Sequence, residues 1–165
     1  MEYKIASINQ LNEILSMKNR VKQRIIEQNL PMWLNGYPQD DLIIEDLENN
    51  HGRVIVINDK VVGYAVLYPS TFEYNGELTD IKNRYSFGRV MVDDNYTGLG
   101  IGRFLIESII KEVKNKKQKG MLITGDDFNY KAMNLYKSVG FTKIGEKQFP
   151  YAYLSIFTLD FKEEE

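Results

Sequence analysis

Apolar positions along this 165-residue chain follow two rhythms, one helical and one alternating or continuous. Tyr3-Lys-Ile-Ala6 is a short strand candidate, and from Gln10 to Gln28 the residues Leu11, Ile14, Leu15, Val21, Ile25 and Ile26 fall at helical spacing. Pro31 and the run Trp33-Leu-Asn-Gly-Tyr-Pro38 break that spacing, because proline lacks an amide hydrogen and glycine favours turns. The helical pattern resumes from Asp40 to Asn50 as a short acidic helix, so two helices meet at an elbow. Arg53–Asn58 and Val61–Tyr68 are strand-like runs joined by a short polar turn, which predicts an antiparallel hairpin. A third strand is expected from Tyr85 to Val92, followed by a helix from Gly100 to about Lys117 with Ile101, Phe104, Leu105, Ile109, Ile110 and Val113 on one face. Its last turns hold Lys111, Lys114, Lys116 and Lys117, where the negative end of the helix dipole favours them. Met121–Thr124 reads as a buried strand, Asn129–Val139 as a helix stopped by Gly140, and Phe141–Phe161 as two strands split near Pro150. The predicted order is β-α-α-β-β-β-α-β-α-β-β, an α/β (α+β) fold in a single domain over residues 1–165.

Composition narrows the classes of function. Hydrophobic residues make up 43% and charged residues 27%, with mean hydropathy −0.38 and no apolar run near the ~18 residues of a membrane span, so no membrane association is expected. A net charge of −2 and pI near 5.6 give no positive field to attract nucleic acid, which is not an expected partner. With zero Cys and His51 alone, no thiolate or His-pair metal site and no Cys nucleophile is expected, and His51 itself reads as a surface residue. The first residues lack the basic and apolar regions of a signal peptide, and the last carry no lipidation motif, so the expected location is cytoplasmic.

The chemistry concentrates in two stretches. Thr97-Gly-Leu-Gly-Ile-Gly102 lies between a strand and an amphipathic helix, where glycines let backbone N–H groups turn toward an anion such as a diphosphate. No Gly-Lys-Ser/Thr follows, so it is not a Walker loop, and its spacing misses G-x-G-x-x-G by one; on its own it also reads as a tight strand–helix connection. In context, Arg89-Val-Met-Val-Asp-Asp-Asn-Tyr-Thr-Gly-Leu-Gly-Ile-Gly-Arg103 resembles the acetyl-CoA pyrophosphate loop of the GNAT superfamily of N-acetyltransferases. Asn129-Tyr-Lys-Ala-Met-Asn-Leu-Tyr-Lys-Ser-Val-Gly-Phe141 resembles that family's N-x-x-A-x-x-x-Y-x-x-x-G-F helix.

The resemblance implies a mixed, mostly antiparallel twisted sheet of about seven strands flanked by about four helices, opening at the strand before the loop. It implies acetyl-CoA as co-substrate and transfer of its acetyl group to a primary amine of a small molecule or protein, an N-terminus or a lysine, by direct attack on the thioester. A homodimer is common in the family. The backbone of Val90, Met91 and Val92 would pair with the pantetheine arm, and an N–H near Met91 or Val92 would face the thioester carbonyl. Thr97, Gly98, Gly100, Ile101 and Gly102 would cradle the pyrophosphate with help from Arg103, although Thr97 stands where the family usually has Arg or Gln. Asn129 would face CoA or serve as an N-cap, and Tyr136 would protonate the departing thiolate, the alternative being a tyrosine packed beside Leu135.

Trp33 and Tyr37 occupy the segment that walls the acceptor cleft in this family, or else cover the core; Phe72, Tyr74 and Tyr151 are similar candidates on other loops. Many members place a base Glu on the strand before the loop, whereas Ser86-Phe-Gly-Arg-Val90 offers no carboxylate. Glu45, Asp46, Asp126 and Asp127 are the remaining acidic candidates, each also readable as a solvated or helix-end charge. The acidic run from Asp40 to Glu48 hints at a cationic acceptor, though an exposed amphipathic helix has the same pattern. The alternative function is a noncatalytic acyl-CoA-binding sensor or interaction domain of the same fold, prompted by Thr97 and the missing strand carboxylate and opposed by Tyr136.

Overall fold

In a computed structural model, residues 1–71 and 81–162 are described; Phe72 and Tyr74 lie outside them. The elements follow the order that the hydrophobic pattern predicts: β1 (Glu2–Ile5), α1 (Leu11–Glu27), α2 (Asp40–Glu48), β2 (Gly52–Ile57), β3 (Lys60–Pro69), β4 (Arg84–Val92), α3 (Ile101–Asn115), β5 (Gly120–Gly125), α4 (Tyr130–Ser138), β6 (Thr142–Gln148) and β7 (Tyr153–Asp160). Short 3₁₀ turns at Ile8–Gln10 and Asp94–Tyr96 precede α1 and α3. The seven strands form one mixed sheet in the order β1-β2-β3-β4-β5-β7-β6. Among the described residues no helix is long and apolar enough to cross a membrane. Residue contacts divide the chain into two compact units, residues 1–67 with 87–108 and residues 68–86 with 109–165.

In the first unit, Ser7 and Gln10 make a reciprocal capping box that starts the chain into α1. The faces of α1 and α2 bury Ile14, Met17, Val21, Ile25, Ile43 and Leu47 in one cluster with Val54, Tyr64 and Met91. Trp33 of the elbow packs against this cluster, half-buried. The β2–β3 hairpin is antiparallel as expected and turns through Asn58 and Asp59 at φ +48° and +63°, a conformation these short polar side chains tolerate.

In the second unit, β7 pairs antiparallel with both β5 and β6, and α4 ends at Gly140, whose φ of +111° is glycine territory. β4 pairs parallel with β5 at Arg84↔Gly120 and Tyr85↔Met121, and Val90–Val92 lie beyond that ladder. Gly120 sits where a Cβ would come within 2.3 Å of the Leu159 carbonyl oxygen and 2.6 Å of Arg84 Nη1. Arg84 is 2% exposed and bonds Asp160 at 2.6 Å, so neither neighbour can retreat cheaply. Gly120→Ala is expected to lower unfolding stability by about 1–3 kcal/mol, the range for overpacking, read as a lower urea midpoint. Unchanged stability would mean that β5 and β7 separate more easily than this packing implies.

Candidate functional site

The strand–helix loop is built from two left-handed glycines. Gly98 and Gly100 stand at φ +79° and +76°, and a Cβ at either would meet no atom within 4 Å, so the requirement for glycine is conformational and the space above the turn is open. The Phe104 amide donates to the Gly100 carbonyl at 3.0 Å, so the amides of Ile101, Gly102 and Arg103 come before that bond, at the N-terminus of α3. This is the donor set and dipole polarity that bind a phosphate. Ile101 itself is buried, Arg103 is exposed and pairs with Glu107 at 3.3 Å, and the Thr97 hydroxyl donates to the Asp94 carbonyl at 3.4 Å, closing the turn.

Two carboxylates precede this loop, and left unpaired they would repel an anion. Both are paired. Arg20 Nη2 donates to Asp93 Oδ2 at 2.6 Å, Arg24 Nη1 lies 2.6 Å from Asp94 Oδ1, and the second Asp93 oxygen accepts the Asn95 amide at 3.0 Å. The arginines stand four residues apart on α1, a helical spacing that puts them on one face; sequence reasoning missed their role because their partners lie far along the chain. Upstream, Met91 is buried in the core cluster while Val90 and Val92 are half-buried.

Asp46 is where sequence reasoning needs correction. Rather than a solvated surface charge, it is 5% exposed, because it shares the inner face of α2 with Ile43 and Leu47. Arg89 donates to it from Nε at 2.9 Å and from Nη2 at 2.6 Å, and the Tyr64 hydroxyl donates at 2.7 Å. Arg89 Nη1 donates to the Tyr37 hydroxyl at 3.2 Å, so the elbow residue singled out from sequence joins the cluster, whereas Trp33 serves the core. Burial opposes the Arg89 charge most strongly, but the hydrogen bonds to Asp46, the Asp46 charge and the interactions with Tyr37 together outweigh it and drive the guanidinium's pKa up; burial, then the Asp46 charge and hydrogen bond, push the Tyr64 phenol well above its ordinary range.

In the second unit, Asn129 is the N-cap of α4, its Oδ1 accepting the Ala132 amide at 3.2 Å. Tyr136, two turns on, is buried with Phe141 and Phe157 edge-on to its ring at 6.2 and 6.5 Å, and burial raises its pKa well above the ordinary phenol value. The other acidic candidates are occupied or peripheral: Asp126 caps the Phe128 amide at 3.0 Å, Asp127 accepts from Ser155 at 2.6 Å, and Glu45 is exposed. Tyr151 is exposed and stacks on Phe149 at 5.7 Å.

A model of the acetyltransferase (GNAT) family matches residues 19–141. Among curated protein sequences none matches this chain. A GNAT-family acetyltransferase from Streptococcus agalactiae superposes with a TM-score of 0.85 at 18% identity, over 99% of this chain and 96% of that one. A ribosomal-protein-alanine N-acetyltransferase from Brucella melitensis gives 0.73 at 22% identity, over 98% and 100%. A Salmonella typhimurium structure described with its cofactor acetyl-CoA gives 0.74 at 19%, over 100% and 96%. At these identities the likeness is one of fold.

Removing the Asp46 carboxylate would leave the Arg89 guanidinium, 17% exposed, without a counter-charge. Asp46→Ala is expected to cost about 3–5 kcal/mol of stability, the range for breaking a buried pair from one side, measured by chemical denaturation. A loss under 1 kcal/mol would place the pair in effective contact with solvent.

Proposed function

Because the chain belongs to the acetyltransferase (GNAT) family, we propose that it moves the acetyl group of acetyl-CoA to the nitrogen of a primary amine by direct attack, with no acetyl-enzyme. Acetyl-CoA supplies the activated thioester. The observation that carries the reading is the left-handed glycine turn at the N-terminus of α3, with its two flanking carboxylates already paired by Arg20 and Arg24. The amides of Gly98 to Arg103 hold the pyrophosphate there, by a mechanism that needs no long side chain at Thr97. The backbone of Val90, Met91 and Val92, beyond the β4–β5 ladder, holds the pantetheine arm, and an N–H near Met91 or Val92 is the donor for the thioester carbonyl oxygen, a contact worth ~3 kcal/mol. Asn129 orients the start of α4 as its cap.

Tyr136 is the proton donor to the leaving sulfur. Burial keeps the Tyr136 phenol protonated across the pH range in which amines become nucleophilic, so the proton is in place when the sulfur departs. Asp46 does not serve as the base, because Arg89 and Tyr64 already occupy its oxygens. The amine therefore reacts as its free base after releasing its proton to solvent, and the rate climbs through the amine's own pKa of ~8–10.

Tyr136→Phe is expected to lower kcat about 100-fold, the lower end for general-acid catalysis, with the affinity for acetyl-CoA retained in calorimetry. The wild-type rate, followed by thiol release, is expected to rise with pH and to show no descending limb from Tyr136 below pH ~10, its ordinary value. A Tyr136→Phe enzyme with full kcat would remove the assignment. Separately, Gly100→Ala, forced into a left-handed conformation at ~1–2 kcal/mol, is expected to raise KM for acetyl-CoA about tenfold; an unaltered KM would show that the loop does not hold the co-substrate.

A further inference from the structure

Arg89 stands at φ +48° inside β4, between Gly88 and Val90. A non-glycine residue in the left-handed region persists only where surrounding contacts over-determine it, and such residues gather at functional sites. Here the contacts are the two-pronged bond from Nε and Nη2 to Asp46 and the bond from Nη1 to the Tyr37 hydroxyl. Asp46 is itself held by Tyr64, which is fully buried. The elbow backbone on either side of Tyr37 is gripped from α1: Lys22 donates to the Gly36 carbonyl at 3.2 Å, and Lys18, 3% exposed, donates to the Pro38 carbonyl at 2.9 Å and pairs with Asp40.

This arrangement fixes the direction of a hydrogen bond. A guanidinium has donors and no acceptor, so the Tyr37 oxygen can only accept from Arg89. The Tyr37 O–H hydrogen must point elsewhere, and among the described residues no acceptor takes it. Tyr37 is half-buried, and Asp46 neutralises Arg89, so what the cluster offers is a neutral donor and not a positive charge. A neutral donor suits a carbonyl or hydroxyl oxygen better than it suits a carboxylate, which needs charge compensation to leave water.

Resting on the acetyltransferase reading, we infer that Asp46 and Arg89 are positioning residues that hold the Tyr37 phenol as a hydrogen-bond donor to the acceptor, and that the acceptor is an amine carrying a carbonyl or hydroxyl oxygen. The pair sets which amine is chosen, and the strained Arg89 backbone is the consequence of aiming that side chain at both Asp46 and Tyr37.

The test compares kcat/KM, per unit of free-base amine, for ethanolamine, glycinamide and n-propylamine, the last replacing the ethanolamine hydroxyl with a methyl of similar size. The wild-type protein is expected to favour the two oxygen-bearing amines about tenfold, the ordinary worth of one hydrogen bond. Tyr37→Phe is expected to bring that ratio to about one. Arg89→Lys, which keeps the charge and loses the fork, is expected to lower it as well. The ratio is independent of how much of each variant is folded, so a merely structural role would leave it at the wild-type value. A wild-type ratio near one, or a Tyr37→Phe ratio equal to wild type while thiol is still released, overturns the inference alone. No thiol release with any of the three amines overturns this inference, and absence of acetyl-CoA binding in calorimetry overturns the acetyltransferase reading with it.

Discussion

A carboxylate moved out of water loses several kcal/mol of solvation unless donors replace it, and the first unit is arranged around one such group. Asp46 sits on the inner face of α2 between Ile43 and Leu47, and its oxygens are met by Arg89 of β4 and Tyr64 of β3. Those contacts tie a helix to two strands and hold Arg89 in a backbone conformation it would not otherwise keep. Through Arg89 the same carboxylate reaches Tyr37, and so fixes the elbow between α1 and α2. Lys18 and Lys22 hold that elbow from α1, so its irregular backbone is anchored at several points in place of regular secondary structure.

Charge is handled in the same way at the glycine loop. Asp93 caps the turn that enters the loop, yet left unpaired it and Asp94 would oppose any anion bound there. Arg20 and Arg24 cancel them from α1, leaving the main-chain amides at the start of α3 as the local source of positive potential. Helix α1 therefore acts on both features: its buried face builds the core, one flank of that face supplies the two arginines for the loop, and the opposite flank supplies Lys18 and Lys22 for the elbow.

Much of this was legible in the sequence, and what was not shares one cause. The order of helices and strands follows from apolar spacing, which is a local signal, and the two stretches that carry the family resemblance are contiguous motifs. Gly98, Gly100 and Gly140 were readable as turn glycines, and Asn129 as an N-cap, because neighbours in sequence determine those roles. Asp46 was misread because an acidic helix suggests a solvated face, even though its position three after Ile43 and one before Leu47 places it on the buried side. Its partner Arg89 lies 43 residues away, and Asp93 lies 73 residues from Arg20; no local pattern pairs residues at such separations. Arg89, a long cation followed directly by the apolar run Val90-Met-Val92, was the available hint that a buried counter-charge had to exist.

The central claim, direct acetyl transfer from acetyl-CoA to an amine nitrogen, is tested most directly by following an isotopically labelled acetyl group by mass spectrometry. The protein is incubated with labelled acetyl-CoA and ethanolamine, and label is sought in the small-molecule product and on the denatured protein. The account predicts one N-acetylated product for each CoA released and no label retained by the protein. Label covalently held on the chain, or no labelled amide and no CoA released, would contradict it.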